Sequence, residues 1–108
     1  REKLDILFEN LIFNGLRATP QGGRITISAL AEDGRIHVTV EDTGCGIPDE
    51  ELPFVFRRFF VGANNRDTGT GLGLYIVHSI VTELGGTIRV RSTVGKGTAF
   101  SMDFPQAI

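Results

Sequence analysis

The sequence contains a single cysteine, Cys45, so no disulfide can close within the chain and the small disulfide scaffolds are excluded. A lone cysteine is compatible with a reducing cytoplasm. No apolar run approaches the roughly 20 residues that cross a bilayer, and no signal-peptide pattern is read, so direct membrane contact is not expected. No excess of one charge exists either: 11 Lys and Arg oppose 13 Asp and Glu, leaving −2. That balance gives no pull toward nucleic acid, and no nucleic-acid partner is expected. Internal repeats, linkers and low-complexity tracts are missing too. The 108 residues are therefore read as one small domain, with 41% hydrophobic and 22% charged residues supporting a single core. The excess lies in glycine. Fourteen are present, about twice the ~7% average share, and they cluster where a side chain would obstruct the backbone.

Residues 2–17 read as a helix, because Leu4, Leu7, Phe8, Leu11 and Ile12 recur at spacings of three and four. Thr19-Pro20 and Gly22-Gly23 stop it. Ile25, Ile27 and Ala29, then Ile36, Val38 and Val40, alternate with polar residues around Asp33-Gly34, which predicts a hairpin with one buried face. Pro48 and the acidic residues Asp49, Glu50 and Glu51 suit the first turn of a short helix toward Phe56. Residues 61–71 offer little to bury and read as a mobile loop with glycine hinges. A second helix follows, with Leu72, Ile76, Ile80 and Leu84 four apart and Gly85-Gly86 as its stop. Ile88 and Val90, then Phe100, Met102 and Phe104, predict a closing hairpin around Gly95-Lys96-Gly97. Helices and antiparallel strands in separate blocks imply an α+β two-layer sandwich, with helices on one sheet face.

Four constellations could carry chemistry. Asn10 and Asn14 share one helix face, and a carboxamide oxygen is a hard ligand suited to Mg²⁺; the plain alternative is that both cap turns or face solvent. Asp42-Thr43-Gly44-Cys45-Gly46 sets an acid at a strand end before two glycines, fit to accept a hydrogen bond from an exocyclic amine or to form an Asx turn. Gly69-Thr70-Gly71-Leu72-Gly73-Leu74 leads into a helix N-terminus, a natural seat for phosphate. It is neither a Walker motif, lacking Gly-Lys-Ser/Thr, nor a dinucleotide fingerprint, since Leu74 stands at the third glycine position. Phe54, Phe56, Phe59 and Phe60 form an aromatic cluster that would anchor the loop on the core, and Arg57, Arg58 and Arg66 could meet phosphate oxygens.

Together and in this order, the four elements resemble the N, G1, F and G2 boxes of bacterial two-component sensor histidine kinases, within the superfamily that includes gyrase, Hsp90 and MutL. Asn10 to Asn14 resembles the N box, Asp42 to Gly46 the G1 box, Phe56 to Phe60 the F box and Gly69 to Leu74 the G2 box. The tail, with Gly85-Gly86-Thr87-Ile88, Ser92, Gly95-Lys96-Gly97-Thr98 and Phe100, is similar as well. The resemblance implies the Bergerat ATP-binding fold, with a mixed, mostly antiparallel sheet. It implies ATP and Mg²⁺ as cofactors. Asp42 would hold the adenine amine, Gly44, Gly46 and Ile47 would shape the pocket, and Thr98 would lie near Asp42 and the adenine. Asn14 would bind Mg²⁺, with Asn10, Arg17 and Arg58 at the phosphates. Gly69, Thr70, Gly71, Leu72, Gly73 and Leu74 would line the triphosphate, and residues from about Phe56 to Gly71 would form the ATP lid.

Asn10 stands where the hydrolysing relatives resemble one another in carrying a glutamate base, and a carboxamide cannot take a proton at neutral pH. The implied activity is therefore a protein histidine kinase that awaits an external nucleophile. Neither His37 nor His78 precedes an acid, so the acceptor histidine of the resemblance is expected on a separate dimerisation domain. A response-regulator receiver domain is the expected downstream partner, and the expected location is cytoplasmic, with the anchoring of the parent protein left open. Residues 1–108 are expected to form the catalytic, ATP-binding domain, starting after a first strand and helix and lacking the acceptor helices. Three positions depart from the pattern: Gly15 for alanine, Ala18 for an aromatic residue and Val61 for a basic one, while Arg17 keeps the charge of the usual lysine. Two other readings stay open, an anti-sigma-factor serine kinase of the same fold and a catalytically silent nucleotide-binding module.

Overall fold

The computed structural model describes residues 2–58 and 73–105. Helix α1 spans Glu2–Ala18, β1 Ile25–Glu32, β2 Arg35–Asp42, α2 Gly73–Glu83, β3 Thr87–Thr93 and β4 Gly97–Pro105. The four strands form one sheet in the order β1-β2-β4-β3, and all three described pairings are antiparallel. Both helices cover one face, giving the expected α+β sandwich.

Helix α1 starts on Glu2 and Asp5 and ends near Arg17, charges that complement its dipole. Its Leu7 and Leu11 are fully buried against Val77, Ile80 and Val81 of α2 and against Val38, Val40, Phe100, Met102 and Phe104 of the sheet. On α2 the buried stripe is centred on Val77, Ile80 and Val81. The predicted four-residue row drifts, because each step of four winds about 40° past one turn, so Ile76 is only half buried. The N–H groups of Gly85 and Gly86 close the helix on the Thr82 and Val81 carbonyls.

Two expectations need correction. The first hairpin buries one face only on β2; β1 is exposed beyond Ile25, with Ile27 49% exposed. As an outer strand, β1 lies beyond the reach of α2, and α1 meets it chiefly where Gly15 rests on Ile25. The helix expected from Pro48 to Phe56 is reduced to turns and a 3₁₀ segment at Leu52–Phe54. Pro53 sits inside that stretch and has no N–H for a further helical bond. No described helix is long and apolar enough to cross a membrane.

Candidate functional site

The register places Ile25, Asp42, Thr98 and Ser92 in one row across the sheet. Asp42 closes β2 on the helix side and is 6% exposed; Thr98, beside it, is 5% exposed. Burial pushes the Asp42 carboxyl above the ordinary carboxylate value, the N–H groups of Gly44 and Thr98 pull it back, and Glu41 adds to the rise. Its Oδ1 accepts the Gly44 N–H at 2.8 Å. Gly44 itself is buried, and a Cβ there would overlap the Ala18 carbonyl, so the loop after Asp42 can run against the end of α1 only with glycine. The Cys45 N–H completes this contact on the Ala18 oxygen at 3.0 Å. Thr43 holds the other side, its Oγ1 accepting the Arg24 N–H at 2.8 Å.

Helix α1 links this acidic end to the start of α2. A Cβ on Gly15 would lie 3.1 Å from Ile25 Cδ1 and 3.8 Å from Asp42 Cβ, so Gly15, where the resemblance expects alanine, lets the helix lie against the Asp42 row. Five residues earlier, the Asn10 Nδ2 donates to the Ile6 carbonyl at 2.8 Å. That bond turns Oδ1 toward α2, where a Cβ on Gly73 would lie 3.2 Å from it. From Asn10 to Ala18 the helix rises about 12 Å. Asn14 lies between them, half buried, and its carboxamide takes no hydrogen bond from the described residues.

Several expected residues sit elsewhere on the frame. Phe56 packs toward Phe100 at 6.1 Å and His78 at 5.3 Å, so it anchors its segment on the core. Arg58 lies over the Tyr75 ring at 5.1 Å and donates to its hydroxyl at 3.3 Å, a bond that lowers the phenol's pKa. Arg17 is exposed and lies over Phe13 at 5.5 Å. Gly46 is buried beside Thr93, and the Ile47 N–H donates to Ser92 Oγ at 2.7 Å. Leu74 is half buried against the core. Gly69, Thr70, Gly71 and Leu72 of the glycine loop, the lid beyond Arg58, and Phe59, Phe60, Val61 and Arg66 lie outside the described residues.

Ser92 is the residue whose part sequence reasoning missed. Its hydroxyl joins the Ile47 N–H, the Gly97 carbonyl and Thr98 Oγ1, the last two at 2.8 Å each. The signal was present in the pairing of the last hairpin, which sets Ser92 opposite Thr98. On the far face of the sheet, a groove lined by His37, Thr39, Arg89, Arg91 and Asp103 is separated from this site by the sheet itself. There His37 Nδ1 lies 3.0 Å from Asp103, which also pairs with Arg35.

A buried carboxylate at a strand end, a glycine loop against one helix and a carboxamide facing the start of the next give the site two unlike ends. Residues 1–108 match the family described as "Histidine kinase-, DNA gyrase B-, and HSP90-like ATPase", and the chain belongs to it. Within that family its relatives are sensor histidine kinases. It is 38% identical over 103 residues to the sensor histidine kinase GraS of Staphylococcus haemolyticus, covering 94% of this chain and 30% of GraS. The chain thus spans less than a third of that relative's length. Among solved structures, the mycobacterial sensor histidine kinase MprB superposes with a TM-score of 0.88 at 34% identity, over 96% of this chain and 72% of that one. Full-length ShkA in complex with AMPPNP gives 0.81 at 31% identity, over 95% of this chain and 21% of ShkA.

Proposed function

We propose that this chain binds Mg-ATP and transfers its γ-phosphoryl group to a histidine on a separate dimerisation domain, which then supplies an aspartate of a response-regulator receiver domain. The observation that carries the reading is the placement of two unlike ends along α1. Asp42 and Thr98, buried acceptors, stand at its C-terminal end, and Asn10 meets the first residue of α2 about two turns away. The first end suits an adenine amine, the second a phosphate chain seated at a helix N-terminus. The AMPPNP complex of ShkA supports a nucleotide in this fold.

The described residues hold no cluster of three acidic, histidine or cysteine side chains that could bind a metal alone. Mg²⁺ fits that setting, because it commonly takes one or two protein oxygens and completes its shell with phosphates and water. Asn14 would hold it through the carboxamide oxygen, and the ion would offset phosphate charge. Asn10 is tied to the Ile6 carbonyl and carries no base, so water is a poor acceptor here. In the transfer, a histidine nitrogen forms the N–P bond as the bond to the β-phosphate oxygen breaks and ADP leaves. Positioning is the main contribution, with Gly69, Thr70, Gly71, Leu72, Gly73, Leu74, Arg17 and Arg58 assigned to the phosphates, Gly44, Gly46 and Ile47 to the adenine side and Phe56 to the start of the lid. ATP and receiver domains place this work in the cytoplasm.

Calorimetric titration with AMPPNP, with and without Mg²⁺, tests the metal assignment. Mg²⁺ is expected to tighten binding about tenfold or more in the wild type, and Asn14→Ala is expected to lose that gain. A full Mg²⁺ effect in Asn14→Ala would remove Asn14 from the metal site.

A further inference from the structure

We infer that Ser92 is a positioning residue that sets the base preference of the pocket, by fixing the direction in which the Thr98 hydroxyl gives its proton. The inference rests on the adenine reading of Asp42 and Thr98 given above.

The argument is a count of protons. Ser92 Oγ lies 2.8 Å from the Gly97 carbonyl oxygen and 2.8 Å from Thr98 Oγ1. A carbonyl has no proton, so an oxygen–oxygen contact of that length requires the proton of Ser92. The serine hydroxyl has one proton and has then spent it. The proton between Ser92 and Thr98 must come from Thr98. The Ile47 N–H, at 2.7 Å, fills the remaining acceptor position of Ser92 and holds the hydroxyl in this orientation. In the opposite assignment the Gly97 carbonyl would face a serine lone pair at 2.8 Å, a repulsive contact.

Thr98 is thereby left with lone pairs and no proton for anything inside the pocket. Ionised Asp42, its neighbour in the row, likewise only accepts. The polar end of the pocket is acceptor-only. It suits the two N–H bonds of an exocyclic amine and meets a carbonyl at the same place with lone pair against lone pair. Ser92 touches no ligand in this account. It acts through Thr98, and through Ile47 it ties the loop after Asp42 to the last hairpin.

The test compares ADP with IDP, whose base carries a carbonyl for the 6-amino group and, as a result, a proton on N1. Affinities are measured by calorimetry for the wild type, Ser92→Ala, Ser92→Thr, Thr98→Val and the Ser92→Ala/Thr98→Val double variant. Ser92→Ala frees the Thr98 hydroxyl to donate, and the ADP-over-IDP preference is expected to fall about tenfold. Ser92→Thr, which keeps the hydroxyl, should retain the preference. In the Thr98→Val background, where no hydroxyl is left to turn, Ser92→Ala should leave the ratio unchanged. Should Ser92→Ala not fold, Ser92→Cys replaces it, since a thiol is a weak hydrogen-bond partner. A structural role alone would weaken both nucleotides together, and an unchanged ratio in a folded Ser92→Ala would overturn the inference. So would an equal change of ratio with and without the Thr98 hydroxyl. Wild type that binds neither nucleotide, or ADP binding untouched by Asp42→Asn, would overturn the adenine assignment itself and the role of Ser92 with it.

Discussion

Asp42→Asn is expected to weaken AMPPNP binding on the order of 10- to 100-fold while leaving the melting temperature unchanged or raised. The two effects separate because the carboxylate serves the ligand in the proposed site and burdens the fold. With 6% exposure, Asp42 loses hydration, and burial raises its pKa above the ordinary 3.8 despite the N–H groups of Gly44 and Thr98, with Glu41 adding to the rise. A raised folded-state value means that its stabilising contribution is fully present below 3.8 and lost as pH climbs through the folded value. At neutral pH the ionised group therefore costs stability. Asparagine keeps an oxygen for the Gly44 N–H and removes the buried charge, but it halves the acceptor capacity offered to an amine. Scanning calorimetry of both proteins should show the variant's advantage shrinking as pH falls toward the ordinary carboxylate range. A variant that loses binding and melts well below wild type would show instead that Asp42 supports the fold.

Gly97→Ala is expected to cost at least about 3 kcal/mol and to lower the melting temperature by more than about 10 °C, or to yield no folded protein. Gly97 opens β4 at φ 132°, a conformation that side chains rarely adopt, and a Cβ there would overlap the Asp42 carbonyl oxygen. That close approach brings β4 beside β2 at the Asp42–Thr98 pair, so neither strand can yield without moving the proposed adenine end of the site. Gly95→Ala is the control. Gly95 has φ 84° in the same hairpin but nothing within 4 Å of an added Cβ, so only backbone strain of about 1 kcal/mol is expected. Thermal melts of the pair measure the difference, and equal losses would mean that the overlap at Gly97 is relieved by local adjustment.

Much of the frame could be read from spacing and turn chemistry. The periodicity of Leu4 to Ile12, the Asp33-Gly34 turn and the Gly85-Gly86 stop each act locally, so each is written in neighbouring residues. What escaped is not encoded in the spacing of one element. That β1 stays exposed follows from where the helices settle on the sheet, which alternation along one strand does not encode. The loss of the short helix to a 3₁₀ segment turned on Pro53, which the reading from Pro48 and the acidic start at Asp49 left out. Asp42, Gly44 and Thr98 were each legible as motif residues, and the structure brings them together. The hydroxyl of Ser92 was not, because its bonds to Gly97 and Thr98 need the register of the last hairpin and its bond to Ile47 comes from a distant loop.

The most direct measurement is phosphotransfer in trans. The chain is incubated with Mg-ATP labelled at the γ-phosphate and with the separate histidine-bearing dimerisation segment proposed as its acceptor. Label is expected on the segment as an acid-labile, base-stable phosphohistidine. It should vanish when the acceptor histidine is replaced and fall sharply with Asp42→Asn. Tight AMPPNP binding without transfer to that segment would contradict the kinase assignment and leave a nucleotide-binding module in its place.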